Sequence, residues 1–242
     1  NHCKAVFGDI LDFDTLTRLL NEDDVQTIFH LGAQAICDVA IGNPALTLDI
    51  NVRGTINVLE AVRLINPEIS LVVASSDKAY GTHETLPYLE TFPLCGEFPY
   101  DVSKSCADLI TQMYFKTYSL PIAIVRSGNL YGGGDSHFSR VMPKTIWRLY
   151  DGQRPIITNN SIRDYLYVED AARGYRLIAE NLPDKVAGES FNMGHGRPIS
   201  VVEVIQLISE AMGKTEIQPL YSNLRKQEIT EQYLSNSKIG QI

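Results

Sequence analysis

Residues 70–78 read Ser-Leu-Val-Val-Ala-Ser-Ser-Asp-Lys. A short apolar run that turns polar only at its end fits a strand buried on both faces, as in a parallel sheet. The run closes on hydroxyl, carboxyl and ammonium groups, and open parallel sheets place their reacting groups at the carboxyl ends of strands. Upstream, residues 27–31 form a similar run into Gly32, residues 14–20 read as a helix opened by an Asp cap, and residues 5–9 as a further strand. Between the two runs, Pro44 suits a first helical turn. Leu46, Ile50, Val58, Leu59, Val62 and Ile65 then recur on one helical face until Asn66-Pro67 stops it. Downstream, residues 77–99 carry three prolines and two glycines and read as a long loop, followed by a helix over 100–118 and a strand over 122–126. This alternation predicts an α/β fold built of βαβ units around a doubly covered parallel sheet.

Beyond residue 130 the run Tyr131-Gly132-Gly133-Gly134-Asp135 breaks the pattern, and a domain transition is expected there. Helices over 144–150 and 170–180, strands over 164–168 and 190–193, and a helix capped by Ser200 and stopped at Gly213 complete the reading.

Composition narrows the function classes. The 242 residues are 44% hydrophobic, enough for a sizeable core. With 29 acidic against 21 basic residues the net charge is −8, which argues against nucleic acid or an anionic membrane as partner. No apolar run is long enough for a spanning helix, so a soluble, cytoplasmic protein is expected. Cys3, Cys37, Cys95 and Cys106 are widely spaced and form no C-x-x-C pair, which points to a reducing compartment. His83, His137 and His195 lack metal-ligand spacing, so no metal is expected, and His30 inside an apolar run reads as a packed core residue.

Two groups carry candidate chemistry. Tyr100-x-x-x-Lys104 puts a phenol and an ammonium one turn apart on the same helix face. A nearby ammonium favours the phenolate, so this pair predicts a general base; the plain alternative is a solvated Lys beside a half-buried Tyr. Ser76-Asp77-Lys78 closes the buried strand and offers a hydroxyl to a substrate oxygen, or else forms a turn with a surface Lys.

The order of short motifs strengthens the first reading. Gly8-Asp9-Ile10, His30-Leu31-Gly32-Ala33, Asn51-x-x-Gly54-Thr55, Ser76-Asp77-Lys78, Tyr100-x-x-x-Lys104, Arg126-x-x-Asn129-x-Tyr131-Gly132 and Arg163-Asp164-Tyr165 follow one another as in the extended short-chain dehydrogenase/reductases, which the chain resembles over nearly its whole length. Within that family it is similar to nucleotide-sugar 4,6-dehydratases. Ser76-Asp77-Lys78 and the tail Glu228-Ile229-x-x-Gln232-Tyr233-Leu234-Ser235 resemble the CDP-glucose 4,6-dehydratase group rather than the dTDP-glucose group, which usually carries Thr-Asp-Glu.

The resemblance implies a Rossmann-like doubly wound sheet (residues 1–130 with 164–182) binding NAD, and a smaller nucleotide-sugar-binding domain (131–163 with 183–242). It also implies a homodimer built on the helices that begin at Pro44 and Tyr100. Because none of the 17 glycines forms G-x-G-x-x-G or G-x-x-G-x-x-G, the first βαβ unit with its phosphate-binding turn is expected to be absent from the chain. By resemblance, Ser76, Asp77, Lys78, Tyr100 and Lys104 are catalytic, and Asp9, Ile10, Leu31, Gly32, Ala33, Asn51, Tyr100 and Lys104 meet the cofactor. Asn129, Arg163 and Arg225 meet the sugar diphosphate, although Arg225 and Arg140 read equally well as solvated charges.

The implied reaction oxidises the sugar at C4, removes the C5 proton, expels the 6-hydroxyl with Asp77 as acid, and returns the hydride to C6. Lys78 serves either as the C5 base or as an electrostatic stabiliser. A nucleotide-sugar 4-epimerase and a non-catalytic dinucleotide sensor are the competing readings, and the retained Tyr100 and Lys104 argue against the sensor.

Overall fold

The computed structural model describes residues 3–222 and 229–242. Its elements in order begin with α1 (Phe13–Glu22), β1 (Thr27–His30), α2 (Cys37–Gly42), α3 (Pro44–Leu48), α4 (Gly54–Ile65), β2 (Ser70–Ser76), α5 (Pro99–Tyr118) and β3 (Ile122–Ser127). They continue with β4 (Asn129–Tyr131), α6 (Val141–Tyr150), β5 (Ile156–Ile157), β6 (Ile162–Arg163), β7 (Tyr165–Tyr167), α7 (Val168–Glu180), β8 (Ser190–Met193), β9 (Ile199–Ser200), α8 (Val201–Ala211) and β10 (Leu220–Tyr221).

The central sheet is parallel, in the order β1-β2-β3-β8, and the α/β reading holds. Period-2 alternation sorts β2 between two cores. Leu71 and Val73 face Val58, Leu59 and Val62 of α4, Tyr114 of α5, and Leu16 and Leu20 of α1. Val72 joins Val125, Phe191, Ala171 and Ile178 on the α7 side. Local signals set the helix ends. Asp12 accepts from the Thr15 N–H at 3.1 Å and opens α1, Pro44 and Pro99 sit in the first turns of α3 and α5, and Ser200 accepts from the Glu203 N–H to cap α8. The long 44–66 pattern is interrupted once, by a π-helical turn over Asp49–Arg53.

Two expectations are corrected. Residues 5–9 form no strand among the described residues: they are exposed, Phe7 almost completely, and they do not pair with the edge strand β1. Ser190–Met193, grouped by sequence with the smaller domain, is the fourth strand of the central sheet, because buried Phe191 and Met193 complete the α7-side core. Around the carboxyl ends of the sheet stand three small pairings, β4 with β7, β6 with β9, and β5 with β10.

Candidate active site

The carboxyl ends of β2 and β3, the start of α5 and the strand β6 enclose a cleft of about 820 Å³, whose wall includes Ser75, Ser76, Lys78, Tyr100, Asn129 and Arg163. Residues about fifty positions apart in sequence meet because β2 and β3 run in register, Ser76 opposite Ser127.

Ser76 ends β2, and its hydroxyl accepts from the Lys78 N–H at 3.2 Å, capping the one-turn helix Asp77–Tyr80. The same hydroxyl donates to Asp77 Oδ1 at 3.0 Å. Asp77 is 2% exposed, and its Oδ2 has no partner among the described residues. Burial raises its pKa above the ordinary carboxylate range, against the opposing pull of Lys78 and Arg163. A carboxyl whose protonated form burial favours, with one oxygen unbonded among the described residues, is suited to act as an acid. Lys78 Nζ reaches the cleft wall and donates to Gln232 Oε1 at 2.8 Å.

Tyr100 and Lys104 share a face of α5, but their electrostatics differ from expectation. Burial, with Cys37 and Asp77 nearby, raises the Tyr100 pKa above its ordinary value, against the opposing pull of a hydrogen bond with Ser76. Lys104 has no part in that shift, since its ammonium is directed at Ala74 O, 2.9 Å away. Burial lowers the Lys104 pKa to about 8, and Lys104 together with burial lowers that of His30 to about 4. His30 is a core residue, bonded to Thr55 Oγ1 at 3.0 Å.

The expected cofactor residues line the carboxyl end of β1. Leu31 is exposed, and the Ile10 side chain packs where Gly32 and Gly54 carry no Cβ. Asp9 is exposed and accepts from the Leu11 N–H. Ala33 follows Gly32 in the same bend. Asn51 has another use: its amide is committed to both backbone groups of Gln34 and to Ser103 Oγ, which shapes the turn after β1.

Asn129 stands in the cleft wall, as expected of a substrate contact. Arg163 does too, but its fork, expected on two phosphate oxygens, donates to the carbonyls of Ile162, Ile229 and Thr230 at 2.6–3.2 Å. It ties the chain's final segment to β6. Arg140 borders the cleft beside Lys144 and pairs with Asp135 at 3.2 Å. Arg225 lies outside the described residues.

Two residues at the cleft or behind its wall were given no site role from the sequence. Asp101 follows Tyr100, is 3% exposed, and burial raises its pKa to about 6; an acid in a helix's first turn reads as dipole compensation and nothing more. Gln232 lies 154 residues from the lysine it bonds, a separation no spacing rule covers.

The chain matches the family model described as GDP-mannose 4,6 dehydratase over residues 1–240 and belongs to that family. Among its relatives, a CDP-glucose 4,6-dehydratase of Salmonella typhimurium is 32% identical over 79% of this chain and 57% of its own length. A putative UDP-glucose 4-epimerase of Methanocaldococcus jannaschii is also 32% identical, over 97% of this chain and 77% of its own. A dTDP-glucose 4,6-dehydratase from Streptomyces venezuelae, solved with NAD bound, superposes with a TM-score of 0.88 at 28% identity, over 98% of this chain and 72% of that one. The chain thus spans just over half the length of the Salmonella enzyme. Among the described residues, no helix is long and apolar enough to cross a membrane.

Proposed function

We propose that the chain carries the catalytic cleft of an NAD-dependent nucleotide-sugar 4,6-dehydratase, with CDP-glucose as the favoured substrate. The observation that carries this reading is the buried Asp77 carboxyl, with raised pKa and an idle oxygen, next to the cleft-lining Lys78. A 4-epimerase has no leaving hydroxyl to protonate and no use for that acid. Similarity to the Salmonella enzyme supports the cytidine nucleotide, as does Ser76-Asp77-Lys78.

The exposed edge formed by Asp9, Ile10, Leu31, Gly32 and Ala33 fits a dinucleotide, with Tyr100 and Lys104 at its reactive end. When bound, NAD accepts a hydride from sugar C4 and returns it at C6. Ser76 and Tyr100 hold the 4-hydroxyl oxygen, and Tyr100 takes its proton. A phenol with a raised pKa is a poor base in the chain alone, and a bound cofactor's positive charge would favour the Tyr100 phenolate. Once C4 is a ketone, the C5–H bond breaks toward Lys78 and its electron pair enters the enolate. Collapse of the enolate expels the 6-hydroxyl, which leaves as water with the proton from Asp77, and the hydride's return to C6 is balanced by a proton delivered to C5 from Lys78. Asn129, with the cations Arg140 and Lys144, lies where a sugar diphosphate enters the cleft.

A homodimer fits the exposed apolar residues Leu64 of α4 and Leu109 and Met113 of α5. Incubating the enzyme and NAD with CDP-, dTDP-, GDP- and UDP-hexoses, with products identified by mass, tests the function. Loss of one water from a CDP-hexose is expected; isomerisation without mass change overturns the reading in favour of an epimerase.

A further inference from the structure

We propose that Gln232 is a positioning residue that holds the Lys78 amine at the cleft wall through a neutral acceptor. The geometry stands on the structure, whereas the use of Lys78 rests on the dehydratase reading above.

Gln232 is fully buried in the segment that closes the chain. That segment is pinned on both sides. The Gln232 N–H donates to Ile162 O at 3.1 Å, and the next residues exchange backbone bonds with Tyr88, Tyr88 N to Tyr233 O at 2.9 Å and Ser235 N to Tyr88 O at 3.0 Å. The amide's orientation is fixed by its two neighbours. As an ammonium, Lys78 Nζ has only hydrogens to give, so Oε1 faces it at 2.8 Å. The Tyr88 hydroxyl donates to Gly81 O at 2.6 Å, so it faces Nε2 as an acceptor, at 3.5 Å. Burial pushes the Tyr88 pKa up to about 12, which keeps this hydroxyl neutral.

A buried lysine is commonly fixed by a carboxylate, and a carboxylate at this position would lock the amine in its charged form. A neutral amide supplies the same directional bond without the charge. The groups around the amine supply enough charge already: Asp77 on its own turn and Asp101 on α5 are both drawn down by it. Behind them, Arg163 of β6, Asp164 and Tyr100 act on Asp77, and Glu97 acts on Asp101 and Tyr88. Gln232 thus aims Nζ without adding to this set.

The test uses two variants of the NAD-loaded enzyme, Gln232→Met, which keeps the volume and removes the acceptor, and Gln232→Glu, which makes the acceptor anionic. Three quantities are read: the Lys78 titration midpoint from the 13Cε signal, assigned with Lys78→Arg; solvent deuterium entering C5 across pH; and thermal unfolding, which reports whether each variant folds. Gln232→Glu is expected to raise the Lys78 midpoint by a unit or more and to move the rising limb of the C5 exchange to higher pH by the same amount. Gln232→Met is expected to lower kcat tenfold or more at unchanged KM, with no rise in the midpoint. An unmoved midpoint in Gln232→Glu, or wild-type kcat in Gln232→Met, overturns the proposal. If the wild-type enzyme releases no water and incorporates no deuterium, the dehydratase reading fails instead, and the midpoint in Gln232→Glu still decides whether the amide governs the lysine.

Discussion

Ser75 and Arg126 face each other across β2 and β3, and the polar groups on the two strands are treated in opposite ways. On β3 the Arg126 guanidinium is fully engaged: two bonds reach Asp108 at 2.9 and 3.0 Å, and others reach the Tyr80 hydroxyl and Glu90 O. Tyr80 passes the chain on to Asn192 of β8 at 2.7 Å. At the end of β2 and in the turn that follows it, Ser75 Oγ, in the cleft wall, and Asp77 Oδ2 are buried with no partner among the described residues. Leaving a buried polar atom unbonded costs about 1–3 kcal/mol, so a fold retains such atoms where something else is to bind them. The satisfied network is architecture, and the unsatisfied one is a site.

The largest effect expected on the site side is that of Tyr100→Phe, which removes one hydroxyl and leaves the packing of α5 alone. Turnover by the NAD-loaded enzyme should fall about 10³-fold with little change in Tm, in line with the usual worth of general-base catalysis. Retained turnover would break the assignment of chemistry to this side.

On the architectural side, Asp108→Ala leaves Arg126 charged, buried and unpaired, which should cost about 3–5 kcal/mol. Denaturant unfolding measures it. A loss below about 1 kcal/mol would show that the β3 network is replaceable and the contrast between the strands superficial.

Asp77→Asn sharpens the comparison from the other direction. Water release should drop about 10²-fold, since an amide has no proton to give. Stability should move the opposite way. The folded Asp77 pKa is raised above 3.8, so its contribution to stability is present below that value and is lost as pH climbs through the folded pKa. The Asn variant is therefore expected to match the parent at pH 3–4 and to unfold at higher temperature than the parent at neutral pH.

How much of this was legible in the sequence follows the same division. β2, α5 and the strand Ser190–Met193 were readable because each carries a local pattern, the continuous apolar run of β2 above all. Residues 5–9 carry the same local signal and fail as a strand, because strand formation is settled by a neighbour rather than by the segment itself. In the site, Ser76, Lys78 and Tyr100 were found because they lie at a strand end and a helix start, where topology concentrates function. The electrostatics were not: i,i+4 spacing fixes which face Lys104 shares with Tyr100, but the direction of its ammonium is set by the Ala74 carbonyl thirty residues earlier. Arg163 lines the cleft as expected, but the bonds of its fork to the carbonyls of Ile229 and Thr230 were not legible, because they come from a segment with no periodic signal.

Lys104 lies on the boundary between the two regions, and it supplies the smallest and most discriminating effect. Its ammonium is 7% exposed and holds one carbonyl of β2, so its charge is a burden that the fold carries for the cleft. The folded pKa, lowered from 10.5 to about 8, makes the cost of that charge complete below about pH 8 and zero above the unfolded value. Replacing it by Met removes the charge and leaves the Ala74 carbonyl without this donor, so the net gain at pH 7 should be about 1–2 kcal/mol, below the full desolvation cost. That gain should shrink steadily between pH 8 and 10.5, measured by denaturant unfolding across the range. A Met variant less stable than the parent at pH 7 would mean that Lys104 belongs with Arg126, as part of the architecture, and that only Asp77 and Ser75 remain as groups the fold keeps at its own expense.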